Sequence, residues 1–460
     1  MEALRDKLQQ QDPAFACNKV LTKYNTIVKD HSLDKAARVN SKDVEIVSGH
    51  RVLGSTIGSE AACNAFKEKT IKEYRDQLNK LSLHAKKSPQ NVYHAFTKGI
   101  QNKLSFLCRT TPQMEPFFHE TELDISEKLL PALTGRISHN ENQRLLFSLP
   151  LRNGGLNILL PGDRSQDYER SKLMSNCLDE ADPLTAENAQ FKIMRNVKKE
   201  KTHENSMKVE HLKEVLPENE LYATELSSEK GASSWLNALP LQRYGFTLTK
   251  SDFRDGLAIR YGWEPKNTPS LCPCGEPFTM SHALHCAKAG YTHLRHNEIR
   301  DTFAKLMDEV CHDVELEPKL QPLEGETFDN KTTTTEDEAR LDIKANGLWD
   351  TRFSRTLFDV KIFNPMAKSC PKDVNAAYKH HEALKKLKYK QRVIDVENSS
   401  FSPLVFATTG GGGPSATKVM ARLALKLSEK TSEAYADDRI HKDKSQLRTS
   451  KKFNLVCTRM

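Results

Sequence analysis

The 460-residue sequence contains no apolar run approaching the roughly 18–20 residues of a membrane-spanning helix. Its first residues, Met1-Glu-Ala-Leu-Arg-Asp-Lys7, lack the apolar core of a secretory signal. Cysteine is scarce: ten are spread along the chain, too few for the disulfide framework that staples small secreted domains. Cys17, Cys63, Cys108, Cys177, Cys311, Cys370 and Cys457 stand alone, whereas Cys272, Cys274 and Cys286 crowd together. Neither sign of charge dominates, since 69 lysines and arginines face 61 carboxylates for a net +8. These absences set aside membrane and secreted classes. They lead to the expectation of a reducing compartment, nuclear or cytoplasmic, with one thiol-rich metal site.

What is present is more pointed. The length allows roughly three domains, and a hydrophobic fraction of 37% suffices for their cores. The positive charge is concentrated. Residues 379–392 hold Lys379, Lys385, Lys386, Lys388, Lys390 and Arg392 against Glu382 alone, and residues 440–460 repeat that excess. Outside these two patches the chain is slightly acidic, so the basic residues are placed where phosphate contacts can use them.

Periodicity gives a coarse map. Arg51-Val-Leu-Gly-Ser-Thr-Ile-Gly58 reads as a strand or hairpin. Residues 59–110 read as helical, with Phe66, Ile71, Tyr74, Leu78 and Leu81 at helical steps. Residues 162–232 are polar, and read as exposed helices and linker. Beyond the cysteine cluster, a helix near 293–312, strands within 339–363 and at 400–407, a helix near 373–392 and a last helix over 415–435 describe an α/β domain. The run Thr408-Thr-Gly-Gly-Gly-Gly-Pro414 could cradle a phosphate at a helix N-terminus. It lacks the Lys-Ser/Thr ending of a nucleotide loop, so a plain strand-to-helix turn is the preferred reading.

Two constellations carry chemistry. In the first, Cys272-Pro-Cys274-Gly275 is followed by His282 and Cys286, four apart on one helical face. Two close thiols, an imidazole and a third thiol suit tetrahedral zinc rather than calcium or magnesium. His285 competes with His282 for the imidazole position. In the second, Asp342 begins one strand, and Asp359 and Lys361 lie two apart on the next, so both project from one face. Two aspartates from neighbouring strands can hold Mg²⁺, with the lysine orienting water or steadying developing phosphate charge. Phe358, Val360 and Ile362 then point to a core. A third carboxylate could come from Glu298 or Glu317. The segment Arg295-His296-Asn-Glu298-Ile-Arg-Asp301 is polar enough to face a site.

These residues resemble the C-terminal end of a non-LTR retrotransposon polyprotein of the restriction-like-endonuclease class, where a Cys-Cys-His-Cys knuckle precedes a PD-(D/E)XK nuclease. The resemblance implies Cys272, Cys274, His282 and Cys286 as zinc ligands, Asp342 and Asp359 as magnesium ligands, and Lys361 as the motif lysine. Glu298 joins the catalytic candidates. Arg295, His296, Lys385, Lys386, Lys388, Tyr389, Lys390 and Arg392 are the implied nucleic-acid contacts, with DNA and element RNA as partners. Leu341 stands where the motif usually has proline. Upstream, Arg51-Val-Leu-Gly54 and Leu149-Pro-Leu-Arg-Asn-Gly-Gly155 resemble the post-palm segment and thumb of such reverse transcriptases. The resemblance implies an α+β multidomain chain: thumb-like 1–161, helical linker 162–262, knuckle 263–292, α/β endonuclease 293–436 and basic tail 437–460. The polymerase palm is expected before residue 1, as in a 5′-truncated element, so polymerase activity is not expected. Tyr435-Ala-Asp-Asp438 matches a polymerase catalytic box in letters only, because it follows the nuclease and has no partner aspartate motif.

Overall fold

The structure, a computed structural model, describes residues 48–177, 183–242, 245–265, 268–286, 288, 290–323, 339–349 and 355–431. Tyr435–Asp438 and the basic tail lie outside these residues. The protein is α+β, largely helical, with two small sheets. No described helix is long and apolar enough to cross a membrane. The chain forms two compact units that interleave along the sequence. One takes the segments up to Leu83, Ala95–Leu130 and Leu159–His203; the other takes His84–His94, Pro131–Ile158 and the chain from Glu204 onward.

In the first unit, β1 (Gly49–Val52) and β2 (Ser55–Gly58) form the expected hairpin, with Val52 opposite Ser55. A two-residue turn of this kind needs positive φ at both central residues. Gly54 supplies it freely at 86°, while the exposed Leu53 is held there at 48°. Helix α1 (Glu60–Ala85) then turns Ile71 and Tyr74 onto Leu104, Leu107, Cys108 and Met114.

In the second unit, the Leu149–Gly155 stretch is a tight loop held from outside by two residues at the end of helix α2 (Lys250–Tyr261). The Arg260 guanidinium donates to the Gly155 carbonyl at 3.0 Å and to Ser233 Oγ at 2.7 Å. Tyr261 Oη donates to the Gly154 carbonyl at 3.1 Å. A Cβ at Gly155 would lie 1.9 Å from the Leu149 carbonyl oxygen. Because the obstacle is backbone, Gly155→Ala is expected to destabilise by about 2 kcal/mol, at the level of an overpacked core site, measured by denaturant unfolding.

The chain then builds a four-stranded sheet in the order β3 (His312–Leu316), β4 (Ile343–Asn346), β5 (Arg355–Phe363), β6 (Ser400–Ala407). The first three are antiparallel neighbours, whereas β5 and β6 run parallel and are joined through helix α4 (Val374–Asp395). Phe358 and Val360 pack with Leu404 and Phe406 against Ile299, Phe303 and Met307 of α3 (Tyr291–Asp308) and Val419 and Leu423 of α5 (Pro414–Thr431). The opposite face meets α4 through Phe363, Val405, Ala377 and Tyr378. Pro403 pairs opposite Asp359 on the edge strand β6, where a missing N–H costs no ladder bond.

Candidate metal centres and nucleic-acid face

The cysteine cluster is built by a tight turn and a short helix. Residues Leu271 and Pro277 bridge, the Cys272 N–H donates to the Glu276 carbonyl at 2.8 Å, and Gly275 turns the chain at φ 94°. The helix Met280–Ala283 is capped by Thr279, whose Oγ1 accepts from the His282 N–H at 3.1 Å. As a result one ligand atom from each of Cys272, Cys274, His282 and Cys286 lies within 4.8 Å of the others. Cys272 Sγ is 3.7 Å from Cys286 Sγ, and Cys274 Sγ is 3.1 Å from His282 Nε2. Thiolates about 2.3 Å from a tetrahedral ion sit roughly 3.8 Å apart, so the set can hold zinc. His285 is not part of the group: it is exposed, and its Nδ1 is engaged by the Ser281 carbonyl at 2.5 Å.

Arg295, expected as a nucleic-acid contact, is not on the surface. It is 4% exposed, and its guanidinium donates to the Leu284 carbonyl at 2.7 Å, tying α3 to the knuckle. Asn364, immediately after β5, donates to the Ser281 carbonyl at 3.3 Å and makes a second tie.

Asp342 sits just before β4, its N–H on the Phe358 carbonyl, and its Oδ2 accepts from the Val360 N–H at 2.5 Å. The His296 ring of α3 approaches from the side, with Nε2 3.3 Å from Asp342 Oδ2. Asp359 projects from β5 toward α4, where Lys385 Nζ lies 2.6 Å from its Oδ2. The charges are mutually felt. Burial pushes the Asp359 carboxyl up, Lys385 opposes this, and Asp342 adds to the rise. Burial lowers the Lys361 ammonium, helped by the like charge of Lys385 and resisted by Asp359. Burial works against a charged Lys385 too, but Asp359 outweighs it and holds the ammonium above its ordinary range. For His296 the bond to Asp342 likewise outweighs burial and raises the ring.

Apart from the knuckle, no three ligand atoms of His, Cys, Asp or Glu gather within mutual metal-binding reach among the described residues, so neither His296 nor a third carboxylate completes a set with the two aspartates. Glu317 accepts from Arg300 and lies 3.8 Å from Arg340, although its backbone N–H reaches the Asp342 carbonyl at 3.0 Å. Glu298 follows His296 by two positions, a rotation of about 200° around α3, so it does not share the face that His296 presents to Asp342.

The basic helix α4 divides its cations. Lys385 is committed to Asp359, and Arg392 donates to the Gln321 carbonyl at 2.7 Å. Lys386, Lys388 and Lys390 are exposed, the first 3.2 Å from Glu382 and the second 5.0 Å from the centre of the Tyr389 ring. Glu382 was hidden in the sequence among lysines, yet it is 5% exposed and accepts from the Ser415 N–H and Oγ, both at 2.7 Å. It therefore caps α5. Gly411 packs on Glu229, where a Cβ would meet Glu229 Oε2 at 1.7 Å and Tyr378 Oη at 2.4 Å. The glycine run is thus a strand-to-helix turn backed by two carboxylates of the chain, which leaves its amides no role as a phosphate cradle.

No protein-family model matches the chain, and no curated protein matches it.

Proposed function

We propose that the sheet and its helices form a metal-dependent DNA-nicking endonuclease of the PD-(D/E)XK type within a retroelement-derived protein. The observation that carries this reading is that Asp342, just before β4, and Asp359 of β5 lie at the same end of the β4–β5 pair, flanking the paired residues Ile343 and Phe358, with Lys361 two positions on. Asp342 and Asp359 are the oxygen ligands for Mg²⁺, a donor set that fits a hard cation. The ion, when bound, supplies Lewis-acid activation of phosphate and water. Lys361 offers its ammonium to the developing charge on the scissile phosphate. His296 holds Asp342 in place, and Lys386, Lys388 and Lys390 supply phosphate contacts beside the site.

The knuckle holds a structural zinc. DNA is the substrate and element RNA a further partner, in the nucleus. The reaction leaves a 3′ hydroxyl that a polymerase can extend, so nicking primes reverse transcription.

One observation favours a second reading, a silent nucleic-acid-binding remnant: the Lys385 ammonium already neutralises Asp359 at 2.6 Å. Supercoiled-plasmid nicking with Mg²⁺ separates the two. The wild-type chain is expected to nick, and Asp359→Asn, which keeps the shape of the side chain, is expected to lose at least about 100-fold, the range expected for removing a charge-stabilising group. Equal nicking by wild type and variant would sink the assignment, and binding without nicking by both establishes the remnant.

A further inference from the structure

A groove of about 630 Å³ opens beside the knuckle, between the turn that carries Arg136 and Ile137 and one side of α2 with Trp263. The chain leads from Trp263 through Glu264 toward the knuckle, and Glu264 accepts from the Met280 N–H at 3.0 Å.

The walls of this groove are cationic and short of acceptors. Arg136, Lys250 and Arg254 all line it. The Arg136 guanidinium lies 4.6 Å from the centre of the Trp263 ring, and Ile137 is 89% exposed at the rim. Two carboxylates, Asp255 and Glu264, line it beside the three cations. Glu264 is engaged by the knuckle backbone, and burial, with Asp252 adding, pushes Asp255 toward its neutral form. Most informative are two buried donors, Trp263 Nε1 and Arg136 Nε, neither with an acceptor among the described residues. Buried donors are satisfied in roughly nine cases of ten, and here two unmet ones belong to residues that line a groove with three cations, of which Arg254 is engaged by the Ala132 and Leu133 carbonyls.

The complement of such a wall is a chain of anionic oxygens with flat apolar faces between them. A volume of this order matches a small-molecule pocket. It admits one or two nucleotides and no duplex. We propose that this groove binds the phosphate backbone of a single-stranded nucleic acid next to the knuckle, as a site separate from the carboxylates and from α4. Arg136 and Lys250 contact successive phosphates, and a base lies on the Arg136 guanidinium, which the buried Trp263 ring backs. The proposal goes beyond the nuclease reading and does not depend on it.

The test uses the zinc-loaded full chain without Mg²⁺ and a fluorescein-labelled single strand of about 16 nucleotides, read by anisotropy across a salt series. The double variant Arg136→Gln/Lys250→Gln is expected to lose about tenfold in affinity. Its salt slope should flatten by about 1.4, two phosphate contacts of a single strand. Lys250→Gln alone, at an exposed position, is expected to flatten the slope by about half as much, and reads the site even if Arg136 proves necessary for folding. Lys388→Gln/Lys390→Gln on α4 should weaken duplex binding and leave the single strand bound. Wild-type affinity and slope in both groove variants overturn the proposal. So does displacement of the strand by millimolar inorganic phosphate, which marks a small-anion site. Failure of plasmid nicking leaves this result untouched, because no step here requires cleavage.

Discussion

Cys286→Ser is expected to abolish stoichiometric zinc binding and to melt the knuckle, whereas His285→Ala leaves both zinc content and stability unchanged. The contrast follows from neighbouring residues with different tasks. Cys286 is 5% exposed with its Sγ 3.7 Å from that of Cys272, while the His285 ring is turned to the Ser281 carbonyl. Little else holds residues 268–286 together: Leu284 is buried at 7%, but Leu271 is 59% exposed. In so small an apolar core a bound metal would carry the fold, and structural zinc contributes roughly 10–16 kcal/mol to comparable peptides. The loss spreads beyond the knuckle, because the Leu284 and Ser281 carbonyls are the acceptors for Arg295 and Asn364. Metal analysis of the purified chain and thermal melts with and without chelator measure both effects. A wild-type chain that carries no zinc, or a His285→Ala chain that loses it, contradicts the ligand set.

The contrast between the two histidines shows where sequence reasoning stops. The ligand spacing was legible because covalent geometry limits which side chains four residues apart can meet. The choice between His282 and His285 was not, since both lie within reach of the cluster and only the turn of the helix after Thr279 decides. Strand β5 was legible from Phe358, Val360 and Ile362 alternating with Asp359 and Lys361, and the structure places Phe358 and Val360 in the core. Strand β3 escaped because its residues are mostly exposed on a sheet edge, so no buried face imprints a two-residue period. Arg295 and His296 illustrate the limit of a polar run. Adjacent in sequence, they diverge by about 100° around α3, one ending beneath the knuckle and the other against Asp342. Glu382 and Glu229 left no signal at all. A buried carboxylate owes its place to tertiary partners, here the Ser415 amide and the Gly411 loop, that no local pattern announces.

Glu229 is the source of the second large effect. Glu229→Gln is expected to stabilise the protein above neutral pH and to change nothing in acid. Burial pushes the Glu229 carboxyl from 4.5 up to about 7, and the hydrogen bond from Tyr378 Oη, 2.9 Å from Oε2, only partly opposes this. Its other oxygen is buried without a partner among the described residues. A carboxyl whose folded value is raised favours the protonated form. Below pH 4.5 both folded and unfolded chains hold the proton, and the group has no effect on stability. Between 4.5 and about 7 the unfolded chain ionises first, so wild-type stability falls as pH rises. Above that window the full difference, about 3 kcal/mol, weighs against the folded state. Glutamine keeps an acceptor for Tyr378 and cannot ionise, so it removes this cost only where the cost exists. Denaturant unfolding of both chains on either side of the window decides the matter. An equal shift at both pH values means that the gain comes from packing, and that Glu229 is charged in the folded protein at every pH where it is charged in the unfolded one.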